Sequence, residues 1–250
     1  MTVINAHAHL GYDCVFDEEE TESGLLGGHA AYGIAASIVQ PFTPRPDIDE
    51  VRRYHDRIYA LCLSHKNQFF GMASVDPHLG ERVYFDEIER CVKKLGFVGI
   101  KLHPLAHAAL PGSRDGRRCF EAARRYAVPL MVHTGAGIPF ADPARLFEAA
   151  EEYRDVRIVV AHAGTDLFFT QALLLAKRHE NVFLEPSWLN ILNLKKALKD
   201  IGAKRIMFSS DHTVNLPVEL AKYRAAASGE DLAQMLYKTA RAVFSLEGRV

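Results

Sequence analysis

The residues in this chain best suited to chemistry are two histidines near its start. The run Val3-Ile4-Asn5-Ala6-His7-Ala8-His9 is short and mostly apolar, and it ends in imidazoles spaced i and i+2. On a β-strand alternate side chains share a face, so His7 and His9 leave the strand end side by side. Two neighbouring imidazoles make a two-toothed ligand for a divalent metal. An HxH pair is a weak motif by itself, so its meaning depends on what the rest of the chain brings to it.

The elements that must position such a pair are legible from periodicity. Apolar, β-rich runs occur at Val3–Ala6, Ala36–Phe42, Phe69–Val75, Phe97–Leu102, Leu130–His133, Val156–His162, Asn181–Glu185 and Arg205–Ser209. Helical periodicity fills the intervals at Asp49–His65, Gly80–Leu95, Gly116–Tyr126, Pro143–Tyr153, Leu167–Arg178, Ile191–Ile201 and Pro217–Ala227. A short helix over Thr21–Tyr32 precedes them, and Leu232–Leu246 reads as an extra amphipathic helix pair. Short, near-continuous apolar strands suit a parallel sheet buried on both faces. Eight strands alternating with helices predict a distorted (β/α)8 TIM barrel with extra C-terminal helices, a single domain over 1–250. A doubly wound open sheet is the alternative, but no GxGxxG or Walker loop follows any strand.

Composition narrows the function classes. Lys+Arg 30 against Asp+Glu 31 gives a net charge of -1, which offers no footprint for nucleic acid or an anionic membrane. No run of eighteen apolar residues appears, and the opening lacks the basic and apolar regions of a signal peptide. The cysteines Cys14, Cys62, Cys91 and Cys119 have no CxxC spacing and read as reduced thiols of a cytoplasmic protein. Cys14, close to the HxH pair, could approach the metal, although its spacing fits no ligand pattern. The acidic run Asp17-Glu18-Glu19-Glu20 reads as a solvated loop.

In a barrel of this kind function sits at the C-terminal strand ends. There the first strand presents His7 and His9, the fourth Lys101 and His103, the fifth His133, the sixth His162, the seventh Glu185, and the eighth Asp211 and His212. Buried polar groups without partners are costly, so convergence on a shared metal explains the set economically.

These motifs, INAHAH at 4–9, GIKLHP at 99–104, VHTG at 132–135, AHAG at 161–164 and SSDH at 209–212, resemble the amidohydrolase superfamily. They match specifically its amidohydrolase-2 (amidohydrolase-related) branch of metal-dependent hydrolases, lactonases and decarboxylases. The resemblance spans nearly the whole chain and keeps the barrel order. It implies one divalent ion, Zn2+ or alternatively Mn2+, held by His7, His9, His133 and Asp211, with coordination left for water and substrate. It implies that Asp211 moves a proton, and that His162 polarises the substrate carbonyl or orients a water. Lys101, His103 and His212 are then expected to contact substrate.

Other readings attach to the same residues. Lys101 could instead be carboxylated and bridge two metals, or form an ion pair with Glu185. His162 could support the site with no chemical role. Arg114, Arg117 and Arg118 could recognise a carboxylate or merely coat a helix start. Glu185 stands where the family often has aspartate, and His212-Thr213 replaces the usual aromatic or Met followed by Pro. The expected activity is hydrolysis of an amide, lactone or ester of a small organic acid, with non-oxidative decarboxylation of an aromatic or unsaturated acid as the alternative. A TatD-like nuclease is disfavoured, because Lys101 and His103 stand where a second-metal acid would be. A metal-stabilised scaffold is disfavoured by size. A small-molecule substrate, no nucleic acid, no membrane and room for a homodimer complete the expectation.

Overall fold

The computed structural model describes residues 1–14, 16–42, 45–135, 137 and 139–250. Its strands are β1 (Ile4–Asp13), β2 (Glu18–Glu20), β3 (Ala36–Pro41), β4 (Phe69–Ser74), β5 (Gly99–Leu102), β6 (Leu130–His133), β7 (Ile158–Ala161) and β8 (Val182–Glu185). They lie in the order β2-β1-β3-β4-β5-β6-β7-β8, all parallel except the β1–β2 pair. Helices α1 (Glu22–Tyr32), α2 (Ile48–Ser64), α3 (Glu81–Glu89), α4 (Arg117–Tyr126), α5 (Phe147–Glu152), α6 (Thr165–Arg178), α7 (Ile191–Ile201) and α8 (Leu216–Ala226) alternate with them. The caps are local chemistry: Thr21, Asp47 and Asn190 accept from the first free backbone N–H groups of α1, α2 and α7.

The expected eighth barrel strand, Arg205–Ser209, is extended but not a regular strand. Met207 N–H donates to Leu184 O at 3.0 Å, Ala6 N–H to Phe208 O at 3.0 Å and Asp211 N–H to His7 O at 2.9 Å, so the segment joins β8 to β1 and closes the ring. Its ladder is irregular because side chains substitute for backbone: Asn5 Oδ1 accepts from Ser210 N–H at 3.0 Å, and Asn5 Nδ2 donates to Ser210 Oγ at 2.9 Å. The distorted (β/α)8 barrel expected from the sequence is the fold.

Three elements differ from expectation. β1 runs on to Asp13 and pairs antiparallel with Glu18–Glu20, so the acidic run is a strand with Glu20 buried rather than a loop. Gly11, at φ +112, permits the bend, since a Cβ there would lie 2.3 Å from the Tyr54 ring. The tail is one helical run in place of a helix pair, α9 (Gly229–Ala233) and α10 (Thr239–Val243) joined by a π-helical turn over Gln234–Lys238. Val243 and Phe244 from it pack with Ile4, Ile38, Met72 and Met207, plugging the end of the barrel opposite the histidines. Apolar side chains between strands and helices form the second, larger core. No helix among the described residues is long and apolar enough to cross a membrane.

Candidate metal centre

The expected strand-end residues meet in one cavity. Among its walls are His9, Lys101, His103, His133, His162, Asp211 and His212, with Asp13, Glu18 and the apolar Phe16, Pro41 and Phe42 at its sides. His7 lies beneath, fully buried.

Hydrogen bonding fixes where the protons of the first two histidines are. His9 Nδ1 lies 3.1 Å from Pro41 O, which can only accept. His7 Nδ1 lies 2.7 Å from Glu185 Oε2, also an acceptor. Both Nδ1 atoms are therefore donors, and in the neutral tautomer each ring turns its Nε2 lone pair inward. Those two Nε2 atoms are 3.1 Å apart, and Asp211 Oδ1 lies 3.2 Å from each. Three electron pairs converge with no proton of their own between them, the donor set a divalent cation needs. The Lys101 ammonium partly answers it here, its Nζ 3.0 Å from His7 Nε2.

The electrostatics agree. Burial, and next the Lys101 charge, hold His7 well below the usual imidazole range, keeping it neutral. Burial would raise the Asp211 carboxyl, yet it is held well below its ordinary value. Burial brings Lys101 down to about 8 and His162 down to about 4. His103 is likewise held well below its usual value by burial.

Glu185 is the organising carboxylate. One oxygen accepts from His7 Nδ1 and from His162 N–H at 3.2 Å; the other accepts from Ser187 N–H at 2.7 Å and from the Ser209 hydroxyl. With its oxygens so occupied, Glu185 makes no direct ion pair with Lys101, and the lysine points at His7 instead. His162 Nδ1 meets Ser187 Oγ at 2.8 Å, and its Nε2 meets His133 Nδ1 at 3.1 Å. His133 stacks on His103 at 3.9 Å. The compact donor groups at this site are His7, His9 and Asp211, and His7, His162 and Glu185; His133 lines the same cavity but stands outside both. His212 faces Asp211 Oδ2 at 3.7 Å and Glu18 at 3.4 Å.

Of the alternatives left open for the three arginines, the coat at a helix start is the one seen. Arg114 and Arg118 pair with Asp115, and Arg117 pairs with Glu152, so none of the three lines the cavity. Cys14 is exposed in the turn after β1 and is not among the residues that line the cavity. Sequence reasoning missed Trp188, whose indole N–H donates to Asp211 Oδ2 at 2.8 Å; its only signal was a place just after a strand end. His162, Trp188 and Asp211 all have φ between +62 and +66, left-handed backbone that such residues rarely adopt. Strained residues cluster where geometry serves function.

A TIM barrel whose C-terminal face gathers imidazoles and carboxylates around one point defines a class of metal-dependent enzymes. The chain belongs to the amidohydrolase family (Amidohydro_2), whose model matches residues 4–246. No curated protein matches the sequence. Among solved structures, 2,6-dihydroxybenzoate decarboxylase from Rhizobium is similar, with TM-score 0.81 and 19% identity over 99% of both chains. A 5-carboxyvanillate decarboxylase from Novosphingobium aromaticivorans, complexed with manganese and a nitrobenzoic acid, has TM-score 0.78 and 17% identity over 98% of this chain and 96% of that one. A probable 2-pyrone-4,6-dicarboxylic acid hydrolase from Acinetobacter baumannii has TM-score 0.71 and 13% identity over 98% of this chain and 100% of that one. At these identities the likeness is one of fold, and both decarboxylases and a hydrolase share it.

Proposed function

We propose that the protein is a metal-dependent hydrolase of an amide, lactone or ester of a small organic acid. The observation that carries the reading is the convergence of His7 Nε2, His9 Nε2 and Asp211 Oδ1 within 3.2 Å of one another. These atoms, with His133 from the facing wall, would hold one divalent ion, Zn2+ or, as in the manganese-containing neighbour, Mn2+. Such an ion acidifies a bound water and polarises a carbonyl.

The chain's own groups do the rest. Glu185 and Pro41 O hold the two imidazoles in the tautomer that presents Nε2. Asp211 accepts a proton from the attacking water and returns it to the leaving oxygen or nitrogen. His162, braced on Ser187, donates a hydrogen bond to the substrate carbonyl. Lys101 faces a substrate carboxylate, and His103 and His212 flank the substrate.

A second reading is non-oxidative decarboxylation. It is favoured by Lys101, the only ammonium or guanidinium among the described residues lining the cavity, set beside the ligand atoms where it would clamp the reacting carboxylate itself. The C–C bond would then break to release CO2, and a proton taken up from solvent through Asp211 or His162 would pass to carbon. Incubation of candidate acids and their derivatives in 18O-labelled water separates the two. Label in the product carboxylate supports hydrolysis, and CO2 release with no label supports the lyase.

A further inference from the structure

Trp188 is the chain's single tryptophan, and it is unusually constrained for a residue that is 49% exposed. It sits in the turn after β8 with φ +64. A bulky aromatic side chain in that region is a genuine outlier that its surroundings must enforce. The enforcing contacts come from α8. Trp188 N–H donates to Glu219 Oε1 at 3.0 Å, while Lys222 Nζ donates to Pro186 O and Leu189 O, both at 2.9 Å. Lys222 and Glu219 are themselves paired at 2.5 Å. One helix thus clamps the turn before, at and after Trp188.

The result of the clamp is one aimed bond, indole Nε1–H to Asp211 Oδ2 at 2.8 Å. An indole N–H is a donor only, so this oxygen is held as an acceptor. The other oxygen, Oδ1, is the one lying 3.2 Å from both His7 Nε2 and His9 Nε2. The two oxygens of one carboxylate therefore have separate duties.

We infer that Trp188 is a positioning residue for the metal centre: its indole N–H holds Asp211 Oδ2 aside so that only Oδ1 faces the ligand atoms. The inference rests on the proposed metal site, and the ring contributes nothing else to it, since His212, at 6.1 Å and edge-on, is its only ring neighbour among the described residues. Partners that orient a metal ligand from behind commonly set 10- to 100-fold in metal affinity. Because the same indole is the only one in the chain, its emission is tied to the state of Asp211.

The test uses the whole purified protein, Mn2+ as the probe, and the Trp188→Phe variant, which keeps a ring and removes the donor. In the wild type, tryptophan emission should change with added Mn2+ and saturate when the directly measured bound metal does. In Trp188→Phe, the Mn2+ dissociation constant from chelator competition should rise about 10-fold or more, with the metal-free thermal midpoint unchanged. Wild-type protein that binds Mn2+ with no change in emission overturns the inference without any variant. So does a variant that binds Mn2+ as tightly as the wild type. Wild-type protein that binds no Mn2+ fails the metal-site reading itself, and the inference falls with it.

Discussion

Among the described residues, two buried clusters pair imidazole with carboxylate, and they are built to opposite ends. Around His7, the rings' own Nδ1 protons are turned outward, that of His7 to Glu185 and that of His9 to Pro41 O, so that both Nε2 atoms and Asp211 Oδ1 face one point beside the Lys101 ammonium. Around His55, behind β4, every lone pair is already taken. His55 Nε2 accepts from Ser74 N–H at 3.0 Å and its Nδ1 donates to Glu87 Oε1 at 2.7 Å. Glu87 also accepts from Arg90 at 2.8 and 2.9 Å and from Arg52 at 3.1 Å. Cys91 lies 3.2 Å from His55, but burial holds its thiol well above the usual range, so it is no thiolate ligand. By residue type and distance both clusters could seat a metal. Inward-facing ligand atoms distinguish the cluster proposed to hold a metal from the one that braces Ser74 at the cavity wall.

That contrast can be broken at either end. Asp211→Ala should cost the largest effect, about 1000-fold or more in metal affinity, because a charged ligand is lost outright; equilibrium dialysis with Zn2+ or Mn2+ measures it, and unaltered affinity would sink the ligand assignment. Glu87→Ala should leave metal content unchanged and instead destabilise the fold by about 3 to 5 kcal/mol, as breaking a buried ion pair does. Urea denaturation of the metal-free protein reads that cost, and a loss of bound metal in this variant would erase the distinction between the clusters. Glu185→Gln should weaken metal binding by about 10- to 100-fold, since the amide orients His7 less firmly than the carboxylate; chelator competition places it between the wild type and Asp211→Ala.

The smallest effect is one of pH. Burial would raise the Glu87 carboxyl, but His55, Arg90 and Arg52 bring it from 4.5 down to about 2. A folded value below the unfolded one means that the cluster stabilises the protein fully above about pH 4.5 and loses that contribution as pH falls toward 2. Stability measured across that window should fall less steeply in Glu87→Gln than in the wild type. Parallel slopes would show that the brace carries no such proton linkage.

Much of this was legible in the sequence, and the reasons for the rest are physical. His7, His9, Lys101, His103, His133, His162, Asp211 and His212 could be picked as candidates because barrel geometry puts strand ends in one place, and the structure brings them together, His7 beneath the cavity that the others line. The role of Glu185 as the anchor of His7 was not readable, because it depends on a contact across 178 positions in the chain. Trp188 was hidden for a similar reason, since α8 rather than its own neighbours sets its backbone. The acidic run at Glu18–Glu20 looked like a loop because charge is read locally; Glu18 and Glu19 are indeed exposed, but the pairing with Gly11–Asp13 that makes it a strand is set by the course of β1. The closing segment of the barrel looked like a strand by composition, yet Asn5 and Ser210 side chains take over part of its ladder.

The most direct test is the metal content of the purified protein, prepared without chelator or affinity-tag metal and measured by elemental analysis beside Asp211→Ala and Glu87→Gln. One binding point built from His7, His9 and Asp211 predicts about one metal per chain in the wild type and in Glu87→Gln, and almost none in Asp211→Ala. Full occupancy in Asp211→Ala, or no metal in the wild type even after reconstitution with Zn2+ or Mn2+, would contradict it. About two per chain would replace the single-ion site with one bridged at a carboxylated Lys101.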